Sequence, residues 1–273
     1  MTRQKAGKAL SFVVLWILSL LILIPMYMVV INSFKTKTEA ADMNIQLPSQ
    51  WHILDNYSQM VQEGGIGVGF RNSIIITFVC VSVVVITSSM AAFVIQRRKS
   101  KVSSVINSIF LVGIMLPIQI IPTVYFCKFL KMTSYLSAIA TLIVANISVA
   151  VFLYTGFLKS IPRQLDESAI LDGAGPLRLF FQIIFPLLKP VTATAVIVTF
   201  MSVWNDFGTS IYFLNSSKDY TITLTIYNFF GQHNSDWQLV FANVVVACIP
   251  VVLIYLFLQK YIISGMTAGS VKG

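Results

Sequence analysis

Few residues of this 273-residue chain are of a type that does covalent or acid–base chemistry, and their placement excludes most reaction classes. The two histidines, His52 and His233, lie in polar connecting stretches. No Ser/His/Asp, Cys/His or paired-carboxylate set is available inside the long apolar segments, so no enzyme constellation forms. Cys80, Cys127 and Cys248 stand in or beside apolar segments without metal-type spacing, and they are expected to serve as small buried hydrophobes rather than as zinc ligands or disulfides. Gly64-Gly65-Ile66-Gly67-Val68-Gly69 has neither the spacing nor the strand–turn–helix setting of a dinucleotide fingerprint, and reads as a flexible segment leading into a helix. Phosphate-cradling glycine loops are also missing, so the chain is expected to carry no cofactor, and any ATP must be bound by another chain.

What remains is one carboxylate and a few amides within apolar surroundings. Asp206 is the only ionisable residue in the segment 190–217, roughly 24 Å along the helix from Pro190 at a 1.5 Å rise. A carboxylate there either faces a pathway or partner, or caps and snorkels locally near the outer interface. Gln119, Asn146, Asn205 and Asn243 are uncharged polar groups that can line a pathway or meet another subunit, and equally can hydrogen-bond from helix to helix. Pro117 and Pro122 flank Gln119 and free backbone carbonyls, which kinks the segment that holds it.

The elements that carry these residues follow from hydropathy. Hydrophobic residues make up 56% of the chain and charged ones only 11%, far from the balance of a soluble domain. Uncharged windows at 9–34, 72–96, 102–127, 132–158 and 237–259, with 190–217 broken only by Asp206, can each hold the roughly 20 apolar residues that cross a bilayer. Runs such as 74–86 show no polar/apolar alternation, which excludes a barrel. The first apolar stretch exceeds the roughly 7–15 residues of a signal core and reads as an uncleaved first helix. The expectation is an all-α integral membrane protein with six transmembrane helices at about 10–31, 72–95, 103–126, 135–158, 190–214 and 238–261. Residues 1–8 precede this 9–264 domain, and 265–273 form a tail after it.

Six crossings put both termini on one side, together with 97–101 and 159–189. These stretches hold 13 basic residues against three acidic ones, whereas the other side balances six against six, so the whole formal charge of +9 is accounted for once Asp206 is placed in the membrane. The positive-inside rule makes the basic side cytoplasmic, N-in and C-in. The clusters Arg97-Arg98-Lys99 and Lys101 hug a membrane exit without interleaved aromatics, so topology and anionic-lipid contact explain the charge, and nucleic acid is not an expected partner.

Three connections are longer than ordinary helix–helix loops. The outer loop 32–71 carries turn chemistry, and the outer loop 215–238 contains a period-2 stretch at 221–226 that reads as extended, followed by Phe229-Phe230. In the cytoplasmic loop 159–189, Pro162 opens a short helix to Leu171 that Asp172-Gly173 ends. Pro176 starts a second helix that Pro186 is expected to stop. Leu177, Phe180, Phe181 and Ile184 form an apolar stripe on this second piece, which is too short to cross the bilayer and is expected to lie bent at the inner surface.

Glu167-Ser168-Ala169, three residues, Gly173, nine residues, Ile183 and then Pro186 resembles the EAA loop of permease subunits in ATP-binding-cassette importers, whose pattern is E-A-A, x3, G, x9, I-x-L-P. The chain departs from it at Ser168 and Phe185. Ser33-Phe34-Lys35, Trp204-Asn205-Asp206-Phe207 and the ending Gly265 to Gly273 are similar to the carbohydrate-uptake branch, and within it to the smaller, second permease of maltose-type transporters. The resemblance implies the type I importer permease fold in a prokaryotic cell membrane. It also implies ATPase-coupling roles for Glu167, Ser168, Ala169, Asp172, Gly173, Ile183 and Pro186. The partners it implies are a second, homologous permease subunit, two ATPase subunits, an extracytoplasmic sugar-binding protein and a sugar of the oligosaccharide class. It implies further that the 265–273 tail reaches the ATPase pair and that the 215–238 loop meets the binding protein. A rival function, a secondary transporter using Asp206 as its coupling carboxylate, would not need such a loop.

Overall fold

The structure, a computed structural model, describes residues 2–98, 100–230 and 235–270; Lys99, His233 and the last three residues of the tail lie outside it. Among the described residues every regular element is helical. Four helices are long and apolar enough to cross a membrane: Val14–Asn32 within Thr2–Asn32, then Ile66–Arg97, Ser134–Leu158, and Trp237–Phe257 within Trp237–Ser270.

The other two expected spans are interrupted. The third is divided into Lys101–Met115 and Ile120–Phe129, with extended backbone at Leu116 and Gln119. Pro117 accounts for this, since it has no N–H to donate and pushes Leu116 out of helical geometry, whereas Pro122 sits in the first turn of the second piece, where its missing N–H costs no intrahelical bond. The fifth runs as Lys189–Trp204, breaks, and resumes for one turn at Ser210–Phe213. The second span starts at Ile66 rather than 72. Both ends of the chain are more helical than expected: the first helix begins at Thr2 and the last continues to Ser270, so 265–270 extends the sixth helix instead of forming a separate run. No proline interrupts either extension, and an isolated glycine costs a helix only about 1 kcal/mol.

Ile66–Arg97 and Ser134–Leu158 form the central pair. Both bury small residues, including Ser88 and Ala92 on one and Ser137, Ala138 and Thr141 on the other, and such residues let backbones approach. Ser88 Oγ donates to the Ile147 carbonyl at 3.3 Å across this pair. Thr133 starts the second helix by accepting the Leu136 N–H at 3.4 Å. Cys80 and Cys127 are buried here as expected, but Cys248 is exposed, because it lies on the outer face of the last helix.

Three apolar clusters follow one another through the bundle. One joins Ala92, Tyr154, Leu158, Ile184, Leu188 and Ala195 at the end of the 159–189 loop. A second holds Ile76, Cys80, Leu142, Val203 and Phe213. The third, on the opposite end, packs Met60, Ile66, Trp204, Ile222, Phe229 and Leu239. The first helix, by contrast, leaves Leu15, Trp16, Ile22 and Leu23 more than half exposed, an arrangement that suits hydrocarbon rather than water.

Candidate functional site

The 159–189 loop folds into two short helices, Gln164–Leu171 and Pro176–Leu187. The first ends in a Schellman turn. Gly173 has φ +79°, its N–H donates to Ile170 O at 3.0 Å, and the Ala174 N–H reaches Ala169 O at 2.9 Å. A left-handed φ of this size favours glycine, so the sharp exit depends on residue 173. A Cβ there would meet no atom within 4 Å, so the constraint is conformational and not steric.

Pro176–Leu187 is bent by 80° from Lys189–Trp204. Pro186 does not stop it, contrary to the sequence expectation. The turn ahead of the proline widens into a π-helix over Leu179–Ile184, and the Phe185 N–H reaches back to Phe180 O. This i→i−5 pattern makes room for a ring that lacks an N–H, and the helix ends at Leu188.

The loop has two faces. Ala169 is buried together with Leu179, Phe180 and Ile184, and Ile183 is half-buried beside them. Ala169, one of the residues to which the resemblance gives a coupling role, packs inside this chain. Glu167, Ser168, Asp172 and Pro186 are exposed. So are Ile170, Leu171 and Leu177, with Leu171 at 87% exposure. The described residues of the loop thus offer a solvent-side surface with an apolar ridge and two carboxylates, Glu167 and Asp172.

The Gln164–Leu171 helix is clamped to the bundle by contacts that no local pattern announces. Arg97 Nε lies 2.6 Å from Asp166 Oδ2, with the two side chains only 12% and 13% exposed, and Arg97 Nη1 donates to Ile161 O at 3.2 Å. Arg163 Nη2 donates to Gln96 O at 2.8 Å. Both arginines count in the sequence only toward charge asymmetry, because their partners lie more than sixty positions away.

The polar residues within the apolar segments do not converge on one site. Asp206 is a cap: its Oδ1 accepts the Ser210 N–H and hydroxyl, each at 2.8 Å, and its Oδ2 accepts the Thr209 N–H at 3.3 Å. Asn146 is buried and donates to Leu142 O in its own helix at 2.8 Å. Asn205 is exposed and donates to Met201 O at 2.9 Å. Gln119 is exposed at the break of the third span, with no side-chain capping bond. Asn243 is buried and donates to Thr225 Oγ1 at 2.8 Å, tying the last helix to the 215–238 loop.

That loop is firmly packed. Its 221–226 stretch turns and enters a 3-10 helix at Leu224–Phe229 instead of running extended. Thr221, Ile222, Leu224 and Thr225 are all buried, so the alternating pattern has no exposed side and no neighbouring strand to pair with. Asn72 donates to the carbonyls of Lys218 and Tyr220, and Ser73 Oγ accepts the Ile222 N–H at 2.9 Å. The glycine-rich segment is likewise ordered: Gly65 has φ +64°, and a Cβ on Gly69 would stand 2.7 Å from Thr225 Cγ2. Phe229 is buried, while Phe230 is exposed and packs on Trp237.

The other long connection, 32–71, is locked by Lys35. This side chain is fully buried, and its ammonium donates to Asn32 Oδ1 at 3.0 Å and Asn44 Oδ1 at 2.7 Å. Asn56 donates to the carbonyls of Ser33 and Lys35, each at 2.9 Å. Nearby, the Ser49 hydrogen bond, reinforced by Thr36, holds the Glu39 carboxyl below its ordinary value. No cluster of His, Cys, Asp or Glu suited to a metal occurs among the described residues.

Residues 84–268 match the family model described as "Binding-protein-dependent transport system inner membrane component". Over 260 residues the chain is 37% identical to a probable starch degradation products transport system permease protein, AmyC, of Thermoanaerobacterium thermosulfurigenes, covering 94% of each. It is 35% identical to the melibiose/raffinose/stachyose import permease protein MelC of Bacillus subtilis, over 92% of this chain and 91% of that one. It is 36% identical to the multiple sugar-binding transport system permease protein MsmG of Streptococcus mutans, over 98% and 99%. Among solved structures, a bacterial ABC transporter involved in import of the acidic polysaccharide alginate has a chain that superposes with a TM-score of 0.80 at 19% identity, covering 94% of this chain and 96% of that one.

Proposed function

The chain belongs to the binding-protein-dependent inner-membrane components of sugar ABC transporters, multi-pass proteins of the bacterial cell membrane, and on that premise we propose that it forms half of the translocation pore of an ATP-driven sugar importer. The 159–189 loop is the element that docks on an ATPase subunit. One observation carries this reading: the Gly173 turn holds two short helices in a fixed bend, one face packed on the bundle and the other presenting Ile170, Leu171 and Leu177 outward.

In this reading six segments cross the bilayer, N-in and C-in. The third crossing is the end-to-end pair of 15 and 10 residues, roughly 22 and 15 Å long, which together suffice for a hydrocarbon core of about 30 Å. ATP and its hydrolysis belong to two partner ATPase subunits. A homologous permease completes the pore, and an extracytoplasmic binding protein delivers the sugar to the outer loops. The substrates named for the relatives are oligosaccharides and starch products, and an oligosaccharide is the class assigned here. The 80° bend next to the loop gives ATPase closure a lever on the Lys189–Trp204 segment.

Mechanically, the Arg97–Asp166 pair and the Arg163–Gln96 bond make the first short helix rigid with the central helix pair, so displacement of the loop moves helices rather than the loop alone. The secondary-transport alternative draws no support from Asp206, whose carboxylate is engaged in capping the Ser210 turn. The test is a cysteine at Leu171 paired with cysteines on the ATPase in an otherwise cysteine-free transporter. Cross-linking that arrests uptake and is reversed by reductant is the expected result. Failure to cross-link in a complex that transports sugar would remove the coupling role.

A further inference from the structure

Two cavities open on the same helix, Lys101–Met115, at its basic end. One, of about 410 Å³, is lined at its mouth by Arg98, Lys159 and Arg163 together with the hydroxyls of Ser100, Ser103 and Ser104. Leu111 and Phe152 add apolar wall beside Asn107 and Thr155. The second, of about 720 Å³, lies along the outer face of the same helix and is apolar, walled by Val105, Ile109, Val112 and Leu116. Ser104 lines both, so a polar, cationic mouth adjoins an apolar groove running along the helix.

The shape has a simple origin. A Cβ on Gly113 would come 2.6 Å from Ser148 Oγ, so Lys101–Met115 and Ser134–Leu158 touch closely there. Toward the start of Lys101–Met115 the first cavity lies between the two helices, lined by Ser104, Asn107 and Leu111 on one and by Phe152, Thr155 and Gly156 on the other, and forms a wedge. The charge is uncompensated within it. Among the described residues no Asp or Glu lines either cavity. Asp166, on the neighbouring short helix, is committed to Arg97, and Arg163 is held by a backbone carbonyl, which leaves its charge intact. The partial positive charge of the helix start at Lys101 adds to the same field.

We propose that this wedge binds one anionic phospholipid, its phosphate held by Arg98, Lys159 and the serine hydroxyls and an acyl chain lying along Val105 to Leu116. A cationic, hydroxyl-lined mouth at the membrane exit selects a phosphate-bearing headgroup, and the groove beyond it accepts only an apolar chain. A soluble phosphate would leave that groove empty. The site rests on the topology stated above, since it requires the mouth to lie at the cytoplasmic surface.

The experiment uses the intact transporter complex in phosphatidylcholine vesicles doped with phosphatidylglycerol that carries a photoreactive group on one acyl chain. The lipid retained after mild detergent extraction is quantified by mass spectrometry. Wild type should retain phosphatidylglycerol in preference to phosphatidylcholine, and label should fall in 105–116. R98Q/K159Q should reduce retention about tenfold, while K128Q, at the opposite end of the third span, should not. Equal retention of the two lipids, or label absent from 105–116 in wild type, would overturn the site even if the variants misfold. Displacement of the lipid by inorganic phosphate would show a soluble-anion site instead. A disulfide from S104C to the second permease would show that protein fills the wedge. Loss of retention with transport intact bears on this site alone, whereas loss of transport with retention intact bears on the coupling reading.

Discussion

At Gly173 the constraint is the backbone, and this sets an order of substitution that a packing argument would not give. Leu there pays a left-handed φ penalty of about 1 kcal/mol with nothing to collide with, whereas Asn enters that region more readily. Gly173→Asn is therefore expected to keep most sugar uptake and Gly173→Leu to lose ATPase co-purification while still inserting, read by pull-down and uptake in the same membranes. Asp206 is decided by the same kind of reasoning. Because the carboxylate caps the Ser210 turn, Asp206→Asn should retain ATP-driven, protonophore-insensitive uptake, while Asp206→Ala should lower thermal stability by about 1 kcal/mol. Loss of all uptake in the Asn variant would return the residue to a coupling role. Removing Asp166 strands Arg97 in a site that is mostly buried, so Asp166→Ala should destabilise by about 3 kcal/mol, and pairing it with Arg97→Met should restore part of the loss in a melting assay.

Among the elements, the 159–189 loop and the 215–238 loop are built on opposite principles. The first buries one face and leaves a ridge outside, the surface assigned to the ATPase in the proposed function; Leu171→Ser with Leu177→Ser should weaken ATPase association without changing helix content by circular dichroism. The second buries Thr221, Ile222, Leu224 and Thr225 and is pinned by Asn72, Ser73 and Asn243. Its position depends on Gly69, where a larger side chain drives Thr225 and the Ile222 backbone outward. Gly69→Val should cost about 1–3 kcal/mol and reduce binding-protein-stimulated ATP hydrolysis, with basal hydrolysis as the control.

For the molecule as a whole, the distribution of charge predicts orientation. Impermeant thiol reagents applied to intact cells should label cysteines introduced at Ser49 and Ser216 and miss those at Ser100 and Gln164. Labelling of the latter pair from outside would invert the topology and, with it, the side on which both the loop and the lipid wedge lie.

Composition and hydropathy alone made the chain helical and membrane-embedded, because uncharged stretches of this length have no other stable form in a bilayer. The same one-dimensional reading located the Gly173 turn, since a helix stop of Asp-Gly followed by Pro176 is a local signal that needs no distant partner. Where spans break was only half legible: Pro117 and Pro122 mark the third span, but no such residue marks the interruption after Trp204, and Pro186 is absorbed by a π-turn that its own neighbours do not announce. Ala169, Asp206 and the 221–226 stretch show what lay beyond local pattern. A small residue packs inward or outward, a carboxylate caps or couples, and an alternating run extends or coils according to which atoms the fold brings beside it. Those neighbours come from positions far away in the chain, and only the packed helices determine where they meet.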